Sequence, residues 1–140
     1  MIKYRKGNVT GGSVMSKVVS CKIVIKDDFN NVLLLKKDVK RGQVEEWSLL
    51  DHKKRGKENI EKTIRRGVND ILKVIVFKLE PMKEYSISED ESVMVFSGIL
   101  NEKISLSKNY KEAKWVNRND INEFNINDLD KTILNDYLKK

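Results

Sequence analysis

A chain of 140 residues that is 39% hydrophobic and 35% charged carries enough apolar side chains for one buried core and too many for a disordered polymer. No apolar run approaches the roughly 20 residues that cross a bilayer, and residues 1–17 lack the apolar centre of a signal peptide. A single cysteine, Cys21, excludes an internal disulfide and a thiolate metal cage, so a cytoplasmic protein with no membrane partner is expected. The net charge of +7 is uneven: residues 1–80 hold 19 Lys/Arg against 10 Asp/Glu, and residues 81–140 hold 9 against 11. A basic half of this kind suits a polyanion, either a nucleotide phosphate chain or RNA; its commoner use is a solvated surface.

Residues 1–16 lack periodicity and contain Gly7, Gly11 and Gly12, which reads as a flexible leader before a domain over 17–140, with Met15 an alternative start. Val18 to Lys26 is dense in β-branched residues and predicts a buried strand, with Cys21 as inert packing. The turn residues of 26–31 followed by Val32-Leu33-Leu34-Leu35 predict a hairpin. A polar loop over 36–46 leads to the short apolar segment Trp47-Ser48-Leu49-Leu50. Asn59 is a good helix cap, and Ile60, Ile64, Val68, Ile71 and Leu72 recur at helical spacing through Lys73. Val74 to Leu79 predicts a strand ending at Pro81, Ser92 to Leu100 another, and Lys114-Trp115-Val116 a short one. A helix is expected to start near Asn119-Asp120-Ile121, and an amphipathic helix closes the chain over 128–140. The order defines a mixed α+β fold rather than a regular alternation of strand and helix.

This order, with Trp47 before the central helix and Trp115 before the last, resembles the Nudix hydrolase family over Val18 to the C-terminus. The family's box is Gly, five residues, Glu, seven residues, then Arg-Glu-U-x-Glu-Glu-x-Gly-U, with U bulky and apolar. Glu58 stands at the first Glu, Arg66 follows after seven residues, and Val68 fills the bulky position. Glu112-Ala113-Lys114-Trp115-Val116 is similar to the family's approach to its last helix. The resemblance implies an α/β/α sandwich around a central mixed sheet and a magnesium-dependent site for nucleoside diphosphates linked to another moiety.

The departures concern the chemistry. His52 takes the place of the box glycine, Gly67 that of the glutamate after the arginine, Asp70 and Ile71 those of the paired glutamates, and Lys73 that of the later glycine. Positions 67, 70 and 71 share one helical face. Magnesium prefers carboxylate oxygens at about 2.1 Å in octahedral geometry, so Asp70 alone makes a weak metal ligand. The box is degenerate, and binding of a nucleotide or other phosphate-containing molecule with little or no hydrolysis is the expected function. The alternative is a divergent hydrolase in which Mg2+ is shared by Asp70 and an off-box carboxylate such as Glu91 or Glu112.

The basic segment Lys53, Lys54, Arg55 and Lys57 is the candidate phosphate grip, with Lys62, Arg65 and Arg66 extending it toward an RNA backbone; a solvated loop is the plainer reading. Glu58 and Arg66 form a candidate charge pair with a structural role. His52, the only histidine, is an exposed loop residue or, less commonly for such a position, a base or ligand. Trp47 and Trp115 are expected at the core or its rim. Glycine inside a helix is disfavoured by about 1 kcal/mol, so Gly67 marks close packing or ligand approach, and restoring glutamate there is expected to be tolerated.

Overall fold

The computed structural model describes residues 17–139, so the leader and Met15 lie outside the described residues. Seven strands and two helices follow in order: β1 (Lys17–Ile25), β2 (Asn31–Lys37), β3 (Trp47–Ser48), β4 (Leu50–Lys53), α1 (Ile60–Leu72), β5 (Val76–Ser86), β6 (Glu91–Leu100), β7 (Tyr110–Asn117) and α2 (Asp128–Leu138). One sheet has the order β4-β1-β6-β5, with β1 and β6 parallel and the other pairs antiparallel; the second, antiparallel, has the order β3-β2-β7.

Alternation along β1 and β2 builds two cores at once. Cys21, Ile23, Ile25, Leu33 and Leu35 face α1, where they meet Ile64, Val68, Ile71 and Leu72. Val24, Val32 and Leu34 face the other way, toward Ile133 and Leu134 of α2. Period-two side-chain direction thus turns two strongly apolar strands into the middle layer of an α/β/α sandwich.

Two expectations require correction. β1 and β2 do not pair as a hairpin: apart from the bridge Lys26–Val32 they belong to different sheets, because both faces of each strand must be buried and other strands supply the edges. Pro81 does not end β5, which runs on to Ser86. β5 is an edge strand with register shifts on both sides of Pro81, the setting that tolerates a missing N–H. The helix expected near Asn119 is present as a short 3-10 helix, Arg118–Glu123, capped by Asn117.

α1 follows the sequence reading closely. The Asn59 side chain accepts from the amides of Glu61 and Lys62 at 2.8 and 3.2 Å. At the other end Lys73 adopts a left-handed conformation, φ 61°. That is the position at which the resembling motif has glycine, and a lysine there bears the steric penalty that glycine escapes.

Candidate functional site

Glu58 sits immediately before the α1 cap and collects every nearby donor. It accepts from the Arg55 amide at 3.2 Å and from the buried Thr63 hydroxyl at 2.8 Å. Arg66, two turns into α1, meets it bidentately, Nε to Oε2 at 2.9 Å and Nη2 to Oε1 at 2.8 Å. The same guanidinium donates to the Lys53 carbonyl at 3.1 Å and approaches His52 Nε2 at 2.6 Å. Arg66 therefore bonds at once to β4 through Lys53 and His52 and to Glu58 ahead of the α1 cap.

Hydrogen bonding from Arg66, opposed by desolvation, holds the Glu58 carboxyl well below its usual 4.5. A depressed carboxyl contributes stability above its unfolded pKa and loses it as pH falls through the folded one. Stability should therefore decline from about pH 4.5 downward through the strongly acid range. Glu58→Gln should flatten that acid limb in denaturant titrations between pH 2 and 5 on the scale set by this linkage. An unchanged limb would show that the pair does not fasten the loop.

His52 and Gly67 fit each other. A Cβ on Gly67 would lie 2.8 Å from both Cβ and Cγ of His52, so the imidazole occupies the space a side chain at position 67 needs. Arginine can only donate, so His52 Nε2 accepts, and the ring is neutral with its proton on Nδ1. Burial and the Arg66 charge lower the His52 pKa in agreement with that arrangement. With its Nε2 lone pair engaged, His52 offers no free base or metal ligand at that atom. Nor is it an exposed loop residue: it lies on β4, half-buried.

Asp70 is half exposed, and its Oδ2 lies 3.8 Å from His52 Nε2 and 3.9 Å from Arg66 Nη1. Ile71 is only 5% exposed and belongs to the α1 core. Among the described residues no group of three or more His, Cys, Asp or Glu is placed to hold a metal ion. Glu91 and Glu112 do not line the cleft beside Asp70. The residues present do not fit a magnesium cluster, because Asp70 has cationic or neutral nitrogen neighbours where further carboxylates are needed.

The cleft beside Asp70 has a volume of about 750 Å³. Lys37, Asp51, His52, Lys53, Arg55, Arg66, Lys73 and Tyr110 are among its lining residues. Of the predicted phosphate grip, Lys53 and Arg55 reach this cleft; Lys54 and Lys57 are not among its lining residues. Sequence reasoning missed Lys37, Lys73, Ser107, Asn109 and Tyr110. Lys73 was signalled by its place at the motif's glycine, whereas Lys37 and Tyr110 come from strand ends, and Ser107 and Asn109 from the loop before β7, which only the fold brings near. Burial, with Asp51 nearby, pushes the Tyr110 phenol up to about 12, so it enters the cleft as a neutral hydroxyl.

Asp51 links the cleft to the second core. Its Oδ1 is 3.6 Å from Lys37 and its Oδ2 3.3 Å from Lys22, whose ammonium also reaches the fully buried Asp130 at 2.9 Å. Cys21 is fully buried, and burial pushes its thiol up to about 12, which makes it inert packing as expected. Trp47 packs edge-on against Phe124 at 5.6 Å, and Trp115 lies 37% exposed at the rim.

The fold is that of the Nudix hydrolases. MutT, studied from Aliivibrio salmonicida and Vibrio cholerae, superposes with a TM-score of 0.74 over 86% of this chain and 96% of its own, at 11% identity. A Nudix hydrolase from Nitrosomonas europaea gives 0.69 over 89% of both chains at 18% identity. The Nudix domain of Shewanella oneidensis NrtR, solved with ADP-ribose, gives 0.70 over 94% and 93% at 12% identity. No protein-family model matches the sequence. Among curated proteins, none matches it either.

Proposed function

We propose that the cleft beside α1 binds a nucleotide or another phosphate-containing small molecule and hydrolyses it little or not at all. The observation that carries this reading is the cleft lining: five cationic side chains, Lys37, Lys53, Arg55, Arg66 and Lys73, against two carboxylates, Asp51 and Asp70. Lysines act as point charges for phosphate and arginine as a planar fork, while the volume accommodates more than a single phosphate group. The ADP-ribose complex of the similarly folded NrtR domain supports a nucleotide-type ligand. Hydrolysis needs a water activated close to the phosphorus. The side chains at positions 67 and 71 supply no base for it, and His52 Nε2 is engaged by Arg66.

ADP-ribose is the first probe to try. At a hundredfold excess over its dissociation constant it should stabilise the protein by about 2.7 kcal/mol, read as a rise in Tm. The double variant Lys53→Ala/Arg55→Ala should lose that rise while keeping its unliganded Tm. Magnesium-dependent turnover of ADP-ribose that disappears in Asp70→Asn would sink the reading in favour of a divergent hydrolase.

A further inference from the structure

We infer that the cleft takes its anion free of magnesium and that magnesium opposes binding. The inference rests on the phosphate-binding reading above and concerns the form in which the ligand enters. Asp51, the second carboxylate of the lining, is already shared between Lys22 and Lys37. Asp70 is left as the one carboxylate open to a cation, and its Oδ2 faces Arg66 at 3.9 Å. A hydrated divalent ion entering here exchanges water for one carboxylate oxygen beside a guanidinium, which offers it little.

Departures from the motif at positions 52, 67 and 73 also make the cleft attractive to a bare anion. His52 fills the space of a side chain at 67 and so keeps any carboxylate out of it. Lys73 places an ammonium-bearing side chain at the cleft edge, although its backbone must adopt φ 61° to do so. Gly67 in place of glutamate and Lys73 in place of glycine each move the local charge toward positive, and the neutral His52 keeps a carboxylate out of position 67. Protein cations then neutralise phosphate oxygens directly, and a magnesium–phosphate complex, having already lost part of its negative charge, binds less well.

Inorganic pyrophosphate, which complexes magnesium strongly, is the probe, followed by calorimetry in EDTA and in excess magnesium at matched ionic strength so that screening is constant. Binding should be present in EDTA and weaken by roughly threefold or more with magnesium, as removal of free ligand by mass action requires. Asp70→Asn supplies an opposite-sign check, since this half-exposed carboxylate repels a bare anion but would hold a metal-bridged one. The variant should tighten binding in EDTA by about threefold, the order expected for removing one partly screened like charge. Binding that requires magnesium, or that Asp70→Asn weakens, overturns the inference while leaving phosphate binding itself standing. Neither pyrophosphate nor ADP-ribose binding in either buffer would instead remove the proposed function on which it rests.

Discussion

Replacing Gly67 with glutamate should destabilise the protein by about 1–3 kcal/mol, the range for forcing extra atoms into an occupied space. Helix propensity argues the other way, since almost any residue improves on glycine there by up to about 1 kcal/mol. Geometry decides the sign: the new Cβ lands 2.8 Å from two carbons of His52, and those carbons lie near the backbone rather than at a flexible tip. The expectation that glutamate would be tolerated at 67 is therefore corrected. His52→Gly in the same chain should return most of the loss, because it empties the contested space. Adding Ile71→Glu removes a core side chain, worth about 2–5 kcal/mol when truncated, and puts a carboxylate in its place. A variant with glutamate at 67, 70 and 71 should consequently yield little folded protein, because changing His52 relieves only the clash at 67. Urea unfolding of the single, double and triple variants measures each step, and a Gly67→Glu protein as stable as the parent would refute the interlock.

The largest single effect is expected in the second core. Lys22→Met should cost about 3–5 kcal/mol, the usual result of removing one partner from a buried ion pair. Asp130 is fully buried; its Oδ2 accepts from the Leu49 amide at 2.9 Å and from Asn127 at 3.0 Å, but Oδ1 has only the Lys22 ammonium at 2.9 Å. Without it, an uncompensated charge remains between β1 and α2. Lys22→Met/Asp130→Asn should recover part of the loss, and a double variant no better than the single would show that packing, not charge, dominates. The pair also has a pH signature. Burial works against the Lys22 charge, but Asp130 and Asp51 outweigh it and raise the pKa above 10.5. A raised lysine contributes its full stability below 10.5 and loses it as pH climbs through the folded value, so the contribution of this pair should fade only in strong alkali.

α1 was legible because every local signal agreed: the Asn59 cap, the apolar spacing and the Glu58–Arg66 interval all specify one helix in one register. The interlock of His52 with Gly67 was half legible. Both departures are visible as letters, and glycine at 67 implied close packing, but nothing in the spacing says that one side chain fills the other's space. Lys22 was hidden for a different reason. In a strand as apolar as β1 the period-two face of a single lysine reads as a minor blemish, and only Asp130, far along the chain, explains why it points inward. The basic loop misled in part, because adjacent lysines point in different directions and only Lys53 and Arg55 reach the cleft.

The absence of a β1–β2 hairpin has a consequence for how the chain reaches this fold. Cys21 of β1 pairs with Met94, and Leu33 of β2 with Trp115, so neither of these central pairings grows from a local turn. Each must close a long loop before its hydrogen bonds and buried faces reward the closure. During synthesis β1 and β2, the most apolar segments, have only the short β4 and β3 as strand partners until β6 and β7 have left the ribosome. The two strands that form the middle layer of the finished protein are thus the ones most in need of shielding while it is being made.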